Sequence, residues 1–149
     1  MNKYDLIILG AGPAGLTAGL YAARSGLKVA ILSKDIGGTA NSILRIENWP
    51  GFKGTGMDLM QKFYEHLKDY NPDLIINDVE KIEKKNKKFL IYTQKESFEA
   101  GAVIIATGRE KKMLNIPGED KLRGKGVSYC VTCDAFFFKD KITAVVGGS

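Results

Sequence analysis

Residues 4–32, YDLIILGAGPAGLTAGLYAARSGLKVAIL, decide the fold. The unbroken apolar run from Leu6 to Leu9 is typical of a parallel strand that is covered on both faces. Small and apolar residues then recur at helical spacing, Gly26 ends the helix, and residues 28–32 form the next strand. The stretch therefore predicts a strand–helix–strand unit of an α/β fold. The helical repeat consists of Leu16, Gly19, Leu20 and Ala23.

The turn between this strand and helix has the pattern G-x-G-x-x-G, formed by Gly10, Gly12 and Gly15. The first glycine allows the tight turn, the second lets the backbone approach a pyrophosphate, and the third lets the helix pack on the strand. The helix N-terminus adds N–H groups and the positive end of its dipole. Because the motif follows a strand and opens a helix, it indicates a dinucleotide site and not a chance glycine turn.

An acidic residue commonly holds the ribose hydroxyls of a bound dinucleotide, and it follows the second strand about 20 residues further on. At that place the chain has Ser33, Lys34 and Asp35. Either Ser33 makes a weaker contact or Asp35 reaches the ribose. The motif by itself does not distinguish FAD from NAD.

The middle of the chain predicts one more helix and an inserted sheet. Residues 56–70 carry apolar residues at i, i+3, i+4 and i+7, which indicates an amphipathic helix, and its single histidine, His66, is interpreted as a helix residue and not a metal ligand. Three short runs within residues 78–100 predict an antiparallel meander. Residues 102–108, AVIIATG, predict a return to a buried parallel strand, and residues 109–129 a connector between domains. The apolar helix residues are Met60, Phe63, Tyr64 and Leu67.

Composition narrows the class of protein. A chain of 149 residues with 44% hydrophobic residues can bury a core, and its apolar runs fall far below the roughly 20 residues that cross a bilayer. Residues 1–4 lead directly into a strand, so we expect a cytoplasmic protein with no membrane association. The net charge is +5, but no arginine is interleaved in the lysine cluster of residues 81–88, which we interpret as a solvated hairpin tip and not a nucleic-acid site. The cluster contains Lys81, Lys84, Lys85, Lys87 and Lys88.

Cys130 and Cys133 form a C-x-x-C pair, and the chain has no other cysteine. A structural zinc site needs four nitrogen or sulfur ligands, which this chain does not offer without a second copy or carboxylate help. The pair can instead cycle between disulfide and dithiol. Asp134 follows directly. Its negative charge opposes thiolate formation, so its useful role is proton transfer as a general acid and base; the alternative is a helix N-cap before AFFF.

Five motifs occur in a fixed order: ILGAGPAG at 8–15, GG at 37–38, IENWPGF at 46–52, IIATG at 104–108 and CVTCD at 130–134. In this order and spacing, over essentially the whole chain, they resemble the low-molecular-weight thioredoxin reductases. These are FAD-dependent enzymes of the pyridine nucleotide-disulfide oxidoreductase family.

The resemblance implies a Rossmann-like three-layer FAD-binding domain with an inserted antiparallel β-meander, incomplete at the C-terminus. Residues 1–112 would be its first segment, with the meander at 78–100. Residues 113–149 would be a connector with the redox cysteines, followed by the first strand of a truncated NADPH-type dinucleotide domain, KITAVVGGS. The chain would then stop where that second domain begins.

The resemblance also implies site residues and partners. Cys133 would face the flavin, Cys130 would exchange with thioredoxin, and Asp134 would transfer the proton. The family is homodimeric and uses NADPH as electron donor. The residues implied to hold FAD are Gly10, Gly12, Pro13, Ala14, Gly15, Ser33, Gly37, Gly38, Thr39, Asn48, Val79, Ala106, Thr107 and Gly108.

Two positions depart from the family pattern. Thr39 stands where the family commonly has glutamine, at a flavin contact. Ser149 stands at the second glycine of the second fingerprint, where a side chain crowds a pyrophosphate, so a donor other than NADPH is an alternative. Two rival functions stay open: a FAD-binding fragment without turnover, and a FAD-dependent oxidase or monooxygenase that needs no cysteine pair.

Overall fold

The computed structural model describes residues 1–110 and 112–147, with the backbone alone at residues 132 and 133. Two compact units are present, Met1–Arg109 and Glu110–Ser149. The first unit holds six strands and two α-helices. Their bounds are β1 (Asn2–Ala11), α1 (Pro13–Arg24), β2 (Val29–Ile36), α2 (Gly56–Lys68), β3 (Asp73–Ile76), β4 (Val79–Lys85), β5 (Lys88–Thr93) and β6 (Ser97–Ile105), with a 3-10 helix at Gly38–Ser42.

The six strands form one sheet in the order β3-β2-β1-β6-β5-β4. The first four in this order run parallel, and β5 and β4 continue the sheet in antiparallel pairing. Parallel strands end at the same edge, so the segments that follow β1, β2 and β6 are brought together there. The predicted α/β fold with an antiparallel meander is confirmed.

The core lies on both faces of β1, as its unbroken apolar run predicts. Ile8 belongs to a cluster that α1 and α2 cover, whereas Ile7 packs with Ile91 of β5 and Phe98 of β6. Ile7 and Ile8 are both fully buried. Burying an isoleucine side chain contributes about 1.5–3 kcal/mol, so β1 is the strand on which the first unit is built.

Both helices have recognisable ends. Pro13 occupies the first turn of α1, and Gly26, with φ +82°, follows the C-cap residue as predicted. Helix α2 begins with a capping box in which Thr55 and Asp58 bond each other's backbone N–H groups. Hydrogen bonds from the Thr55 side chain and backbone hold the pKa of Asp58 below its ordinary value.

Three details of the first unit differ from the sequence prediction. Strand β2 continues to Ile36, so residues 33–36 belong to the strand and not to a loop; a register shift against β1 after Leu9 accommodates the extension. Strand β3 was not predicted, because DLII is only four residues long, although Asn71-Pro72 before it is a turn signal. The third meander run and AVII form one continuous strand, β6.

The prediction that residues 102–105 are buried is wrong. Ile104 is 39% exposed and Ile105 is 71% exposed. The first half of β6 pairs with both β1 and β5, but within the described part of the chain residues 102–105 pair with β1 alone. One edge of this half-strand therefore lacks the neighbour that a central parallel strand has.

The second unit contains little regular structure. It has two short helices, α3 (Glu119–Leu122) and α4 (Val131–Asp134), and a 3-10 helix at Ala135–Phe138. Residues 141–147 form no strand, although KITAVV predicts one, and Ile142, Val145 and Val146 are exposed. A strand needs a neighbour for its backbone N–H and C=O groups, and these residues have none among the described strands.

Candidate functional site

The glycine turn after β1 is shaped by close backbone approaches. Gly10 has φ +102°, and a Cβ atom there would lie 2.4 Å from the Ala106 carbonyl oxygen. A Cβ atom on Gly15 would lie 1.8 Å from the Gly10 carbonyl oxygen. At Gly12 the nearest atom to a Cβ would be 3.9 Å away. The protein itself therefore excludes side chains at Gly10 and Gly15, whereas a Cβ atom at Gly12 would make only ordinary van der Waals contact.

The segment after β2 lies against this turn. The Gly37 N–H donates to the Ala11 carbonyl at 2.7 Å, and a Cβ atom on Gly38 would lie 3.7 Å from the Gly12 Cα atom. Asp35 Oδ1 accepts the Gly38 N–H at 3.0 Å, so this carboxylate holds its own loop in shape. Ser33, the other candidate for the ribose, is partly buried in β2.

Two further segments meet the same edge of the sheet. The Ala106 N–H donates to the Leu9 carbonyl at 2.8 Å, which continues the β1–β6 pairing past the end of β6. The Thr39 hydroxyl donates to the Arg109 carbonyl at 3.3 Å. Near β2, the Asn77 N–H donates to the Ser33 carbonyl at 2.9 Å and leads the chain into β4, which starts at Val79. The structure thus gathers residues 10–15, 33–39, 77–79 and 106–109.

Asn48 is not joined to these segments by a described hydrogen bond. It is an exposed residue between Ile46 and Gly54, which form an isolated antiparallel bridge.

The gathered residues fit a dinucleotide such as FAD. The first turn of α1 holds no acidic residue, and no side chain caps it. Its first N–H groups have no acceptor within the helix, so they suit a pyrophosphate. Gly12 and Gly38 lie against each other and present bare backbone at the helix start, because neither carries a side chain. Thr107 and Gly108 are exposed beside them.

The cysteine segment lies in the second unit. Cys130 is disulfide-bonded, and a sulfur in a disulfide is not a thiolate ligand, which argues against the zinc interpretation. Cys133 is in α4, but its side chain lies outside the described part of the structure. Asp134 occupies the N-cap position of the following 3-10 helix without making a capping hydrogen bond. Its Oδ2 atom instead accepts the Ser128 hydroxyl at 2.6 Å.

Glu119 accepts hydrogen bonds from the chain segment that precedes these cysteines. Its side chain is almost fully buried and accepts the backbone N–H groups of Leu114, at 2.9 Å, and Ile116, at 3.3 Å. The Tyr129 hydroxyl also donates to it. The hydrogen bond from Tyr129, followed by those from the backbone, holds the pKa of Glu119 below its ordinary value. The same hydrogen bond raises the pKa of Tyr129 to about 12.

We expect the ionisation of Tyr129 to report this contact. Because the pKa of Tyr129 is raised, its hydrogen bond to Glu119 stabilises the folded chain fully below the ordinary tyrosine pKa of about 10. This contribution is lost as pH rises through about 12. The lowered pKa of Glu119 means that its effect is present above the ordinary glutamate value and is lost at acid pH. Replacing Glu119 with glutamine should return the Tyr129 titration toward pH 10, measured by ultraviolet difference spectra against Tyr129→Phe.

The neighbouring acid supplies a control for this titration. Asp120 acts on Tyr129 by charge alone, and this is the smallest of the causes that raise the pKa. Asp120→Asn should therefore leave the Tyr129 titration close to that of the unmodified protein. Equal shifts in Glu119→Gln and Asp120→Asn would contradict the hydrogen-bond explanation.

Sequence reasoning missed several residues that shape the site. Asn41 Nδ2 donates to the Ile36 carbonyl at 2.7 Å and supports the loop at Gly37. Asn77, Glu119 and Ser128 were also not predicted. The pattern Ser128-x-Cys130 was the one available signal, because serine often accepts the N–H group two residues on. Glu119 carried no signal, since a glutamate after a glycine is usually exposed.

No membrane-spanning helix is found in the described part of the chain. The same residues hold no group of three or more histidine, cysteine, aspartate and glutamate side chains that could bind a metal ion.

Fold and site together define an α/β protein with the glycine turn of dinucleotide-binding domains and a C-x-x-C segment. A family model described as pyridine nucleotide-disulphide oxidoreductase matches residues 4–149. The chain belongs to this family.

Individual relatives show which members of this family the chain is similar to. The thioredoxin reductase of Bacillus subtilis (strain 168) is 40% identical over 147 residues, which are 97% of this chain and 46% of that protein. The crystal structure of thioredoxin reductase from Streptococcus pyogenes MGAS5005 has 46% identity and a TM-score of 0.85 over 93% of this chain and 46% of that one. A ferredoxin-flavin thioredoxin reductase from Clostridium acetobutylicum has 36% identity and a TM-score of 0.68 over 93% and 49%.

The resemblance to thioredoxin reductases drawn from the motifs is therefore confirmed. The chain spans about half the length of the curated relatives that it matches.

Proposed function

We propose that the first unit binds FAD and that the cysteine segment passes electrons from it to a protein disulfide. The observation that carries the proposal is Gly12: it lies at an uncapped helix start against the backbone of Gly38, and a Cβ atom there would meet no protein atom closer than 3.9 Å. The packing of the protein itself would tolerate a side chain at this position. The glycine is therefore explained by a pyrophosphate that approaches the backbone and needs the space that a side chain would fill. Residues 1–112 would serve as the first FAD segment and residues 113–149 as the connector to a nicotinamide-binding domain.

The proposed FAD contacts come from four places at the sheet edge. The glycine turn would hold the pyrophosphate, and residues 33–39, Thr39 included, would lie along the ribose and the flavin. Val79 would contribute its backbone, and Asn48 would approach from its exposed loop. The segment Ala106, Thr107 and Gly108 would close the site. When bound, FAD would accept an electron pair from the donor and pass it on to the cysteine disulfide.

The proposed redox roles follow from the C-x-x-C pair. Cys133 would face the flavin, and Cys130 would form the mixed disulfide with the target protein. Asp134 would give a proton to the leaving cysteine sulfur and take it back in the reverse direction. The target would be thioredoxin or a similar disulfide protein, in agreement with the names of the relatives.

The proposed donor is NADPH or another reductant. Ser149, which departs from the second glycine fingerprint, lies outside the described residues. The Clostridium acetobutylicum relative is named for ferredoxin, which supports a donor other than a nicotinamide as the alternative. We further propose that the protein works as a homodimer in the cytoplasm, where a dithiol is kept reduced.

We expect flavin photoreduction to open the cysteine disulfide. The chain is loaded with FAD, illuminated without oxygen in the presence of a sacrificial donor, quenched with iodoacetamide and weighed by mass spectrometry. The unmodified chain should gain two alkyl groups in the light and none in the dark, because two electrons convert one disulfide to two thiols. Cys133→Ser should gain one alkyl group in both conditions.

The rival functions predict different outcomes. A FAD-binding module without turnover would carry the flavin and keep its disulfide in the light. An oxidase or monooxygenase would return the reduced flavin to the oxidised form only on admission of oxygen, and Cys133→Ser would not alter that rate. Either result contradicts the proposed electron path.

A further inference from the structure

The Ser128 hydroxyl joins the two ends of the C-x-x-C helix. Its oxygen accepts the backbone N–H of Cys130 at 3.1 Å and donates to Asp134 Oδ2 at 2.6 Å. Its contact with the Cys130 carbonyl oxygen is longer, 3.4 Å. The Asp134 N–H donates to that same carbonyl at 3.0 Å, which closes the turn of α4.

A hydroxyl group has a single proton, so the three contacts are not equal. The distance of 2.6 Å is typical of an O–H donor on a charged carboxylate, and the contact at 3.4 Å is too long to compete. The proton of Ser128 therefore points to Asp134, and its lone pair receives the Cys130 N–H. One carboxylate oxygen, Oδ2, is fixed in this way, and no described hydrogen bond holds the other, Oδ1.

We propose that Ser128 is the positioning residue for Asp134, holding one carboxylate oxygen at a fixed place relative to the Cys130 backbone so that the other meets the leaving cysteine sulfur. The inference rests on the proposed role of Asp134 as proton donor. It assigns Ser128 no contact with the flavin or the target protein. A residue without a hydroxyl at this position leaves the Asp134 side chain free to rotate, and general acid catalysis depends on geometry.

The step concerned is reduction of the Cys130 disulfide by a dithiol. A dithiothreitol thiol attacks one sulfur and gives its proton to the Asp134 carboxylate, the disulfide bond breaks, and the released cysteine sulfur takes that proton from Asp134. The second dithiothreitol thiol then closes the mixed disulfide to a ring, and its proton goes to the other released cysteine. Two electrons and two protons pass from the dithiol to the protein, and Asp134 ends as a carboxylate.

Dithiothreitol reduction of the full chain at pH 7 tests the proposal. The rate is followed by iodoacetamide quenching and mass spectrometry. We expect Ser128→Ala and Asp134→Asn each to slow the reaction about tenfold. This is less than the rate enhancement that a positioned general acid typically contributes. The double variant should be no slower than Asp134→Asn, since both changes remove one function. Ser128→Thr retains a hydroxyl and should restore the rate.

Ser25 supplies a matched control, because its hydroxyl donates only to the Tyr21 carbonyl of α1, at 2.9 Å. Ser25→Ala should reduce at the unmodified rate. A double variant that is slower by the product of the two single effects would overturn the positioning role, and so would a normal rate in Ser128→Ala. An unchanged rate in Asp134→Asn would overturn this inference together with the role of Asp134. Failure of the flavin photoreduction alone would contradict the proposed electron path and leave Ser128 in place.

Discussion

Gly15→Ala should abolish cooperative folding of the first unit at ambient temperature. The new methyl group would be placed 1.8 Å from the Gly10 carbonyl oxygen and 2.9 Å from its carbon atom. Both atoms belong to the backbone of β1, which is held between β2 and β6. Neither can move aside, so α1 must lift from the sheet. We expect a loss of about 3–5 kcal/mol, a large share of the stability of a small domain.

Urea denaturation followed by circular dichroism checks this prediction. The unmodified chain should give a sigmoidal transition, and Gly15→Ala should give none or one shifted to much lower urea. The control is Gly12→Ala in the same motif, where the nearest atom would be 3.9 Å from the new methyl group. A midpoint for Gly15→Ala within error of Gly12→Ala would show that the close approach is not a packing constraint.

Gly12→Ala should lower the affinity for FAD at least about 100-fold while the chain stays folded, which corresponds to about 2.7 kcal/mol of binding free energy. Its methyl group would enter the space next to Gly38 that the proposed pyrophosphate needs. Alanine is a poor N-cap residue, so we allow about 1 kcal/mol of lost stability. Flavin absorbance after gel filtration gives the binding, and the urea midpoint gives the stability.

Lys87→Ala provides a binding control, because Lys87 lies in the exposed turn between β4 and β5. Its affinity for FAD should equal that of the unmodified chain. Unaltered FAD affinity in Gly12→Ala would mean that the dinucleotide, if bound, does not approach the helix start.

The βαβ unit could be predicted because its signals are local. The apolar run of β1, the helical repeat of α1 and the stop at Gly26 all lie within 30 residues of one another, and each was confirmed. The lysine-rich turn was also predicted correctly: Lys85 pairs with Lys88 across Asn86, whose φ is +57°. Local chemistry determines these elements without help from distant neighbours.

The features that were missed depend on distant neighbours. The exposure of Ile104 and Ile105 depends on what packs beside β6 and over its faces, and periodicity carries no such information. For the same reason KITAVV resembles a strand but does not form one. The buried position of Glu119 depends on Tyr129, ten residues away, and the two are not linked by any motif.

Candidate site residues divide in the same way. The glycine turn was predicted from the spacing of its glycines, and the structure shows that Gly10, Gly12 and Gly15 have different surroundings. The contacts of Asp35 with Gly38 and of Ser128 with Asp134 involve loops whose path the sequence does not specify. The assignment of all FAD-binding residues, from Gly10 to Gly108, stays a prediction.

Titration of the purified 149-residue chain with FAD tests the central claim most directly. The claim is that the carboxyl edge of the parallel strands, at Gly12 and Gly38, is a flavin dinucleotide site. We predict saturable binding of one FAD per chain, with quenched flavin fluorescence and a yellow protein after gel filtration. A chain that gives a cooperative urea transition and yet elutes without flavin would contradict the account.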